Sequence, residues 1–192
     1  MKTTRRHILR SITLAAACML AATTYAADDN KEKEQTEIRK MAQDTLQRLY
    51  KADPEAKAAV EGANGYAVFS NTGVKILVAG SGKGAGIAVN NKSKKETFMK
   101  MLELQAGLGF GVKKFRVVFV FDNQKAFDSF VNSGWQFGGQ STASLKTENK
   151  GAAMAGAASV ADGVCMYQLI DKGVAVEITA KSTKYYKDDD LN

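Results

Sequence analysis

The sequence predicts an α+β domain in which N-terminal helices precede a mostly antiparallel, glycine-rich, strongly curved sheet with one inserted helix; a partly closed barrel is one form such curvature takes. Three observations predict it. Apolar residues recur at helical spacing before residue 62 and at strand spacing after residue 65. The strands are separated by short turn signals, without the repeating strand and helix units of a parallel sheet. All 17 glycines lie beyond residue 26, and glycine inside strands marks bends or close backbone approach.

The first element is a leader. Lys2, Arg5, Arg6 and Arg10 precede an apolar run from Ile12 to Ala22, and Thr24-Tyr25-Ala26 offers the small residues read by a signal peptidase. Residues 1–26 therefore read as an export signal cleaved between Ala26 and Ala27. Arg5-Arg6 with Ile8 and Leu9 also fits the twin-arginine pattern, and an ordinary secretory signal fits equally. Cys18 lacks the leucine favoured three positions before a lipidated cysteine, and the apolar run falls short of the about 20 residues that span a bilayer. Cleavage removes four of the 27 basic residues and none of the 20 acids, so 23 bases against 20 acids reduce the net charge from +7 to +3. That mild charge argues against nucleic acid as a partner.

A polar segment, 27–37, comes next. From Ile38, the apolar residues Met41, Ala42, Leu46, Leu49 and Tyr50 fall on one face of a helix ending near Ala52. Asp53-Pro54-Glu55 supplies a cap, a first-turn proline and a first-turn acid for a second helix that stops at Gly62. Strands are expected at Gly65–Phe69, Val74–Ala79 and Gly84–Asn90, with Asn71, Gly73 and Gly80–Gly82 as turn or bulge material. A long strand is expected from Phe98 to Val112, with its apolar residues on the even positions. Arg116–Phe121 reads as an apolar strand, Asp122 as the cap of a helix bearing Ala126, Phe127, Phe130 and Val131, and Gly134 as its stop. Period-two patterning resumes from Trp135 to Leu145. Residues 151–158 suit either a packed helix or a loop. Val164–Ile170 and Val174–Lys181 flank the turn Asp171-Lys172-Gly173.

Taken in order, Gly65-Tyr66-Ala67-Val68-Phe69, the glycine repeat Gly80–Gly86, Phe119-Val120-Phe121 with its following helix, Phe137-Gly138-Gly139-Gln140 and the segment Gly163–Tyr185 resemble the SYLF domain. The resemblance covers roughly residues 38–187, leaving 188–192 as an acidic tail. Eukaryotic members of that family bind phosphoinositide membranes and regulate actin, and many bacterial members are exported. The resemblance implies a non-catalytic domain that binds anionic lipid headgroups at the cell envelope, in the periplasm, where actin is not a natural partner. The alternative is an envelope structural or stress-related module that binds another protein through its glycine-lined sheet face.

Candidate anion-binding residues are Lys83, within Gly80–Gly86, and the clusters Lys92, Lys94, Lys95 and Lys113, Lys114, Arg116, with Lys83 expected to converge on both. Lysines near an anionic surface contribute about 1 kcal/mol each, whereas at strand ends they also serve as ordinary solvated surface. Lys181, Lys184 and Lys187 form a third basic cluster. The glycine repeat offers backbone N–H groups to an anion, but Gly84 stands where a P-loop needs Ser or Thr, and a structural turn is the competing reading. No cofactor, metal site or catalysis is expected. The only histidine, His7, lies in the leader, and the acids are scattered. Cys165 sits in an apolar strand and should be buried and inert.

Overall fold

The computed structural model describes residues 29–76, 79–106, 111–137, 157–170, 173–175 and 182–192. The leader with Ala26 and Ala27, residues 151–156 and the chain beyond Phe137 up to Leu145 lie outside the described residues. Residues 38–192 form one unit, distinct from 1–37.

Helix α1 covers 29–52, so helical backbone already includes the polar residues from 29 that the sequence pattern left out. From residue 38 onward Ile38, Ala42, Thr45 and Leu49 are buried, a spacing of three to four that puts one face inward. Helix α2 is Glu55–Gly62, with Pro54 in place of Asp53 at its N-cap position; the Asp53 Oδ1 still accepts from the Glu55 N–H at 3.1 Å, and Ala56 and Val60 are buried.

The strands are β1 (Gly65–Ile76), β2 (Ala79–Asn90), β3 (Glu96–Ala106), β4 (Gly111–Phe121), β5 (Trp135–Phe137), β6 (Ala158–Ala161), β7 (Val164–Ile170), β8 (Gly173–Ala175) and β9 (Ser182–Lys187). Helix α3, Gln124–Ser133, is inserted between β4 and β5. Among the described residues the strands make one antiparallel sheet in the order β5-β9-β3-β2-β1-β4-β7-β6, with β8 paired to β7. The fold is α+β, as predicted.

Three local expectations are overturned. The three strands foreseen between residues 65 and 90 are two long ones in continuous register from Gly65↔Asn90 to Ile76↔Ala79; Asn71, Gly73 and Gly80–Gly82 lie inside them. Partners on both sides of β1 and β2 override the weak strand propensity of these residues. The long strand from Phe98 to Val112 is divided: β3 ends at Ala106 and β4 starts at Gly111, with β2 and β1 between them in the sheet. On β3 the even Phe98 is buried in the core on one face and the odd Met99, Met101 and Glu103 are buried on the other, while the even Lys100 and Leu102 are buried only in part. The cap of α3 is Asn123, whose Oδ1 accepts from the Ala126 N–H at 2.7 Å, in place of Asp122. Gly134 does end that helix, at φ 68°, a conformation that favours glycine.

The sheet is curled. Four strand spacings separate β4 from β9, about 19 Å in a flat sheet, yet the rings of Phe119 and Tyr185 lie 5.0 Å apart. Phe119 stacks on Phe137 of the edge strand β5 at 5.7 Å. The concave side therefore closes around one aromatic cluster, with Phe69, Phe119, Phe121, Phe130 and Tyr185 buried and α3 packed into it. The glycines of β2 are on that crowded side. A Cβ on Gly86 would run into the Phe69 ring and the Val68 carbonyl. The convex side carries the second core, Val68, Ile87, Phe98, Val118 and Tyr167 beneath α1 and α2.

Candidate functional site

Directly paired residues of an antiparallel sheet share a face, so register maps the basic residues. One row crosses the convex face: Lys184 of β9 opposite Leu102 of β3, Leu102 opposite Lys83 of β2, Lys83 opposite Thr72 of β1, and Thr72 opposite Lys114 of β4. Lys83 and Lys184 are exposed and Leu102 is half-buried. Each of these lysine positions is two strand spacings from the next, about 10 Å. The side chains of Lys113 and Lys114 lie outside the described residues; Lys113 takes the position opposite Gly73, on the other face of the sheet from the row.

The sequence grouped these residues differently. Lys92, Lys94 and Lys95 are exposed, but they sit on the turn between β2 and β3, where Asn90 Oδ1 accepts from the N–H groups of Lys92 and Ser93. Seven residues of extended chain, about 23 Å, separate the end of β2 from Lys83, so the turn and Lys83 do not converge. Nor is Gly80–Gly86 a loop. β2 lies between β1 and β3, so its N–H and C=O groups go to ladder bonds on both sides, and neither an anion cradle nor a turn exists there.

Arg116 is engaged. Its Nη1 pairs with Asp44 Oδ2 of α1 and donates to Thr45 Oγ1 at 3.1 Å, while the Thr45 hydroxyl donates to the Met41 carbonyl at 2.7 Å. The contact anchors α1 on β4. The hydrogen bond from Arg116 holds the Asp44 carboxyl below its ordinary value of 3.8, against partial desolvation. A depressed carboxylate contributes stability that is complete above the ordinary value and is lost as pH falls below it. The thermal midpoint should therefore drop below pH 4 less steeply in Asp44→Asn than in the unaltered protein, as scanning calorimetry between pH 5 and pH 2 would register; parallel profiles would contradict the anchoring role.

The sequence placed Lys184 in a third basic cluster with Lys181 and Lys187 and did not single out Lys100. Lys100 is opposite Ala85 and Tyr186, one row from Lys184 and Lys83. Its Nζ lies 2.8 Å from Asp188 Oδ1 and 2.9 Å from Asp190 Oδ2, and these two carboxylates hold its pKa above the ordinary lysine range. The acidic tail is thus docked. The Asp188 N–H donates to the Phe98 carbonyl at 3.0 Å, the Asn192 amide brackets Phe98 by accepting from its N–H at 3.0 Å and donating to its C=O at 2.8 Å, and Leu191 is buried in the convex core.

Cys165 is buried as expected, and desolvation pushes its thiol up, away from a reactive thiolate. Inside the curl, buried Glu103 accepts from Asn71 Nδ2 at 3.0 Å. Among the described residues no group of three or more His, Cys, Asp or Glu is arranged to hold a metal, and no helix is long and apolar enough to cross a membrane.

Residues 38–192 thus form a curled antiparallel half-barrel with α1 and α2 on its convex side and a basic row on that face. No family model matches it. It is 32% identical over 161 residues to Beta cell expansion factor A of Aeromonas veronii, a match covering 80% of this chain and 57% of that protein. The chain spans little more than half the length of that relative.

Proposed function

We propose that this is an exported, SYLF-like binding domain of the cell envelope whose convex face docks on anionic lipid headgroups without catalysis. The observation that carries the reading is the row Lys184, Leu102, Lys83, Thr72, Lys114, in which lysines at two-strand intervals border a partly exposed leucine. Lysines spaced at about 10 Å suit separate phosphates of a surface better than one small anion, which converging donors would grip. The basic and apolar pattern of residues 1–26 supports export.

Flotation of the purified protein with vesicles tests the reading. Vesicles of neutral phospholipid should leave it in the soluble fraction at 0.15 M salt, and vesicles with about a third anionic phospholipid should carry most of it upward. Equal recovery from both would overturn a headgroup site and favour a protein partner for the same face.

A further inference from the structure

The docked tail has a charge of its own to place beside the basic row. Asp188, Asp189 and Asp190 follow β9 directly, and the tail folds back over Phe98 and Lys100 on the convex side. The acids are not equivalent. Asp188 is 3% exposed at its side chain and belongs to the anchor, together with Asn192 and Leu191. Asp190 is 86% exposed at its side chain yet still paired with Lys100. Lys100 is two residues along β3 from Leu102, so its Cα lies about 8 Å diagonally from those of Lys83 and Lys184. That is about one Debye length at physiological salt, so the tail's carboxylates lower the potential that an approaching phosphate meets at the row.

We propose that the acidic tail is an intramolecular competitor of the basic row: Asp190, which shares Lys100 with Asp188, and the exposed Asp189 beside it damp the convex face until an anionic phosphate surface displaces them. Asp188, which stays on Lys100, keeps the competitor tethered together with Leu191 and Asn192, so Asp190 can leave Lys100 without the tail leaving the domain. The proposal rests on the headgroup reading of the row, and it adds that the resting protein binds more weakly than its lysines allow.

Asp189→Asn combined with Asp190→Asn should tighten binding to the anionic vesicles by about fivefold for each charge removed, with an unchanged thermal midpoint. The gain should disappear at 1 M salt, where the Debye length is about 3 Å. A matched control, Asp128→Asn with Asp162→Asn, removes two exposed charges from α3 and the β6–β7 turn. It should change binding by less than twofold. An equal gain in the control would mean that net charge alone acts and would overturn the proposal. So would no gain in the tail variant while Lys83→Gln with Lys184→Gln weakens binding, a result that leaves the headgroup reading standing. If the unaltered protein does not bind anionic vesicles, the headgroup reading in its present form fails; the tail proposal then survives only if the tail variant binds, and falls if it does not.

Discussion

Replacing Phe119 with alanine should destabilise the domain by about 3–5 kcal/mol, the range for removing a buried phenylalanine ring. Phe119 is fully buried on β4, and its ring lies 5.0 Å from Tyr185 on β9, 5.4 Å from Phe130 on α3 and 5.7 Å from Phe137 on β5. One side chain therefore joins elements that are distant along the sheet. A loss of this size is comparable to the whole stability of many domains, about 5–15 kcal/mol, so Phe119→Leu should be measured beside it as a milder step. Denaturant unfolding gives both values. A cost below about 1 kcal/mol for the alanine variant would mean that β4, β9 and β5 do not enclose a common core.

Changing Lys83, Lys114 and Lys184 together to glutamine should weaken binding to anionic vesicles by about a hundredfold, from about fivefold for each lysine. Lys83 and Lys184 are exposed, and exposed substitutions away from a packing role cost little stability, so the thermal midpoint should hold within a few degrees. The same change at Lys92, Lys94 and Lys95 removes as much charge from the turn beyond the end of β2 and should weaken binding by less than about threefold. Equilibrium binding to vesicles of one composition separates the two. Equal losses would show that total charge matters and the row does not.

What could be read from the sequence was local or continuous. Asp53, whose side chain accepts from the Glu55 N–H, and Gly134, at φ 68°, mark helix ends by their own chemistry, and residues 117–121 of β4 read as buried because helix-covered and concave faces both demand apolar side chains there. The β1–β2 hairpin could not be read, since Asn71, Gly73 and Gly80–Gly82 look like turns until strands on both sides hold them. That both faces of β3 are buried could not be read, since Glu103 is polar; Asn71, on another strand, gives its carboxyl a partner inside the curl. The basic row was only half legible. Lys83, Lys114 and Lys184 were noticed in three separate groups, and Lys184 falls into one row with the others only because β9 returns to pair with β3 from far along the chain. The tail read only as an acidic end, and its docking depends on Phe98 and Lys100 of a distant strand.

The most direct measurement is the salt dependence of binding to anionic vesicles for the unaltered protein beside the variant with Lys83, Lys114 and Lys184 changed to glutamine. Between 0.15 M and 1 M salt the Debye length shrinks from about 8 Å to about 3 Å. If the convex row meets the phosphates, affinity of the unaltered protein should fall steeply over that interval and that of the variant should start low and change little. Affinity that ignores salt in both proteins, or falls equally in both, would contradict a headgroup site on this row.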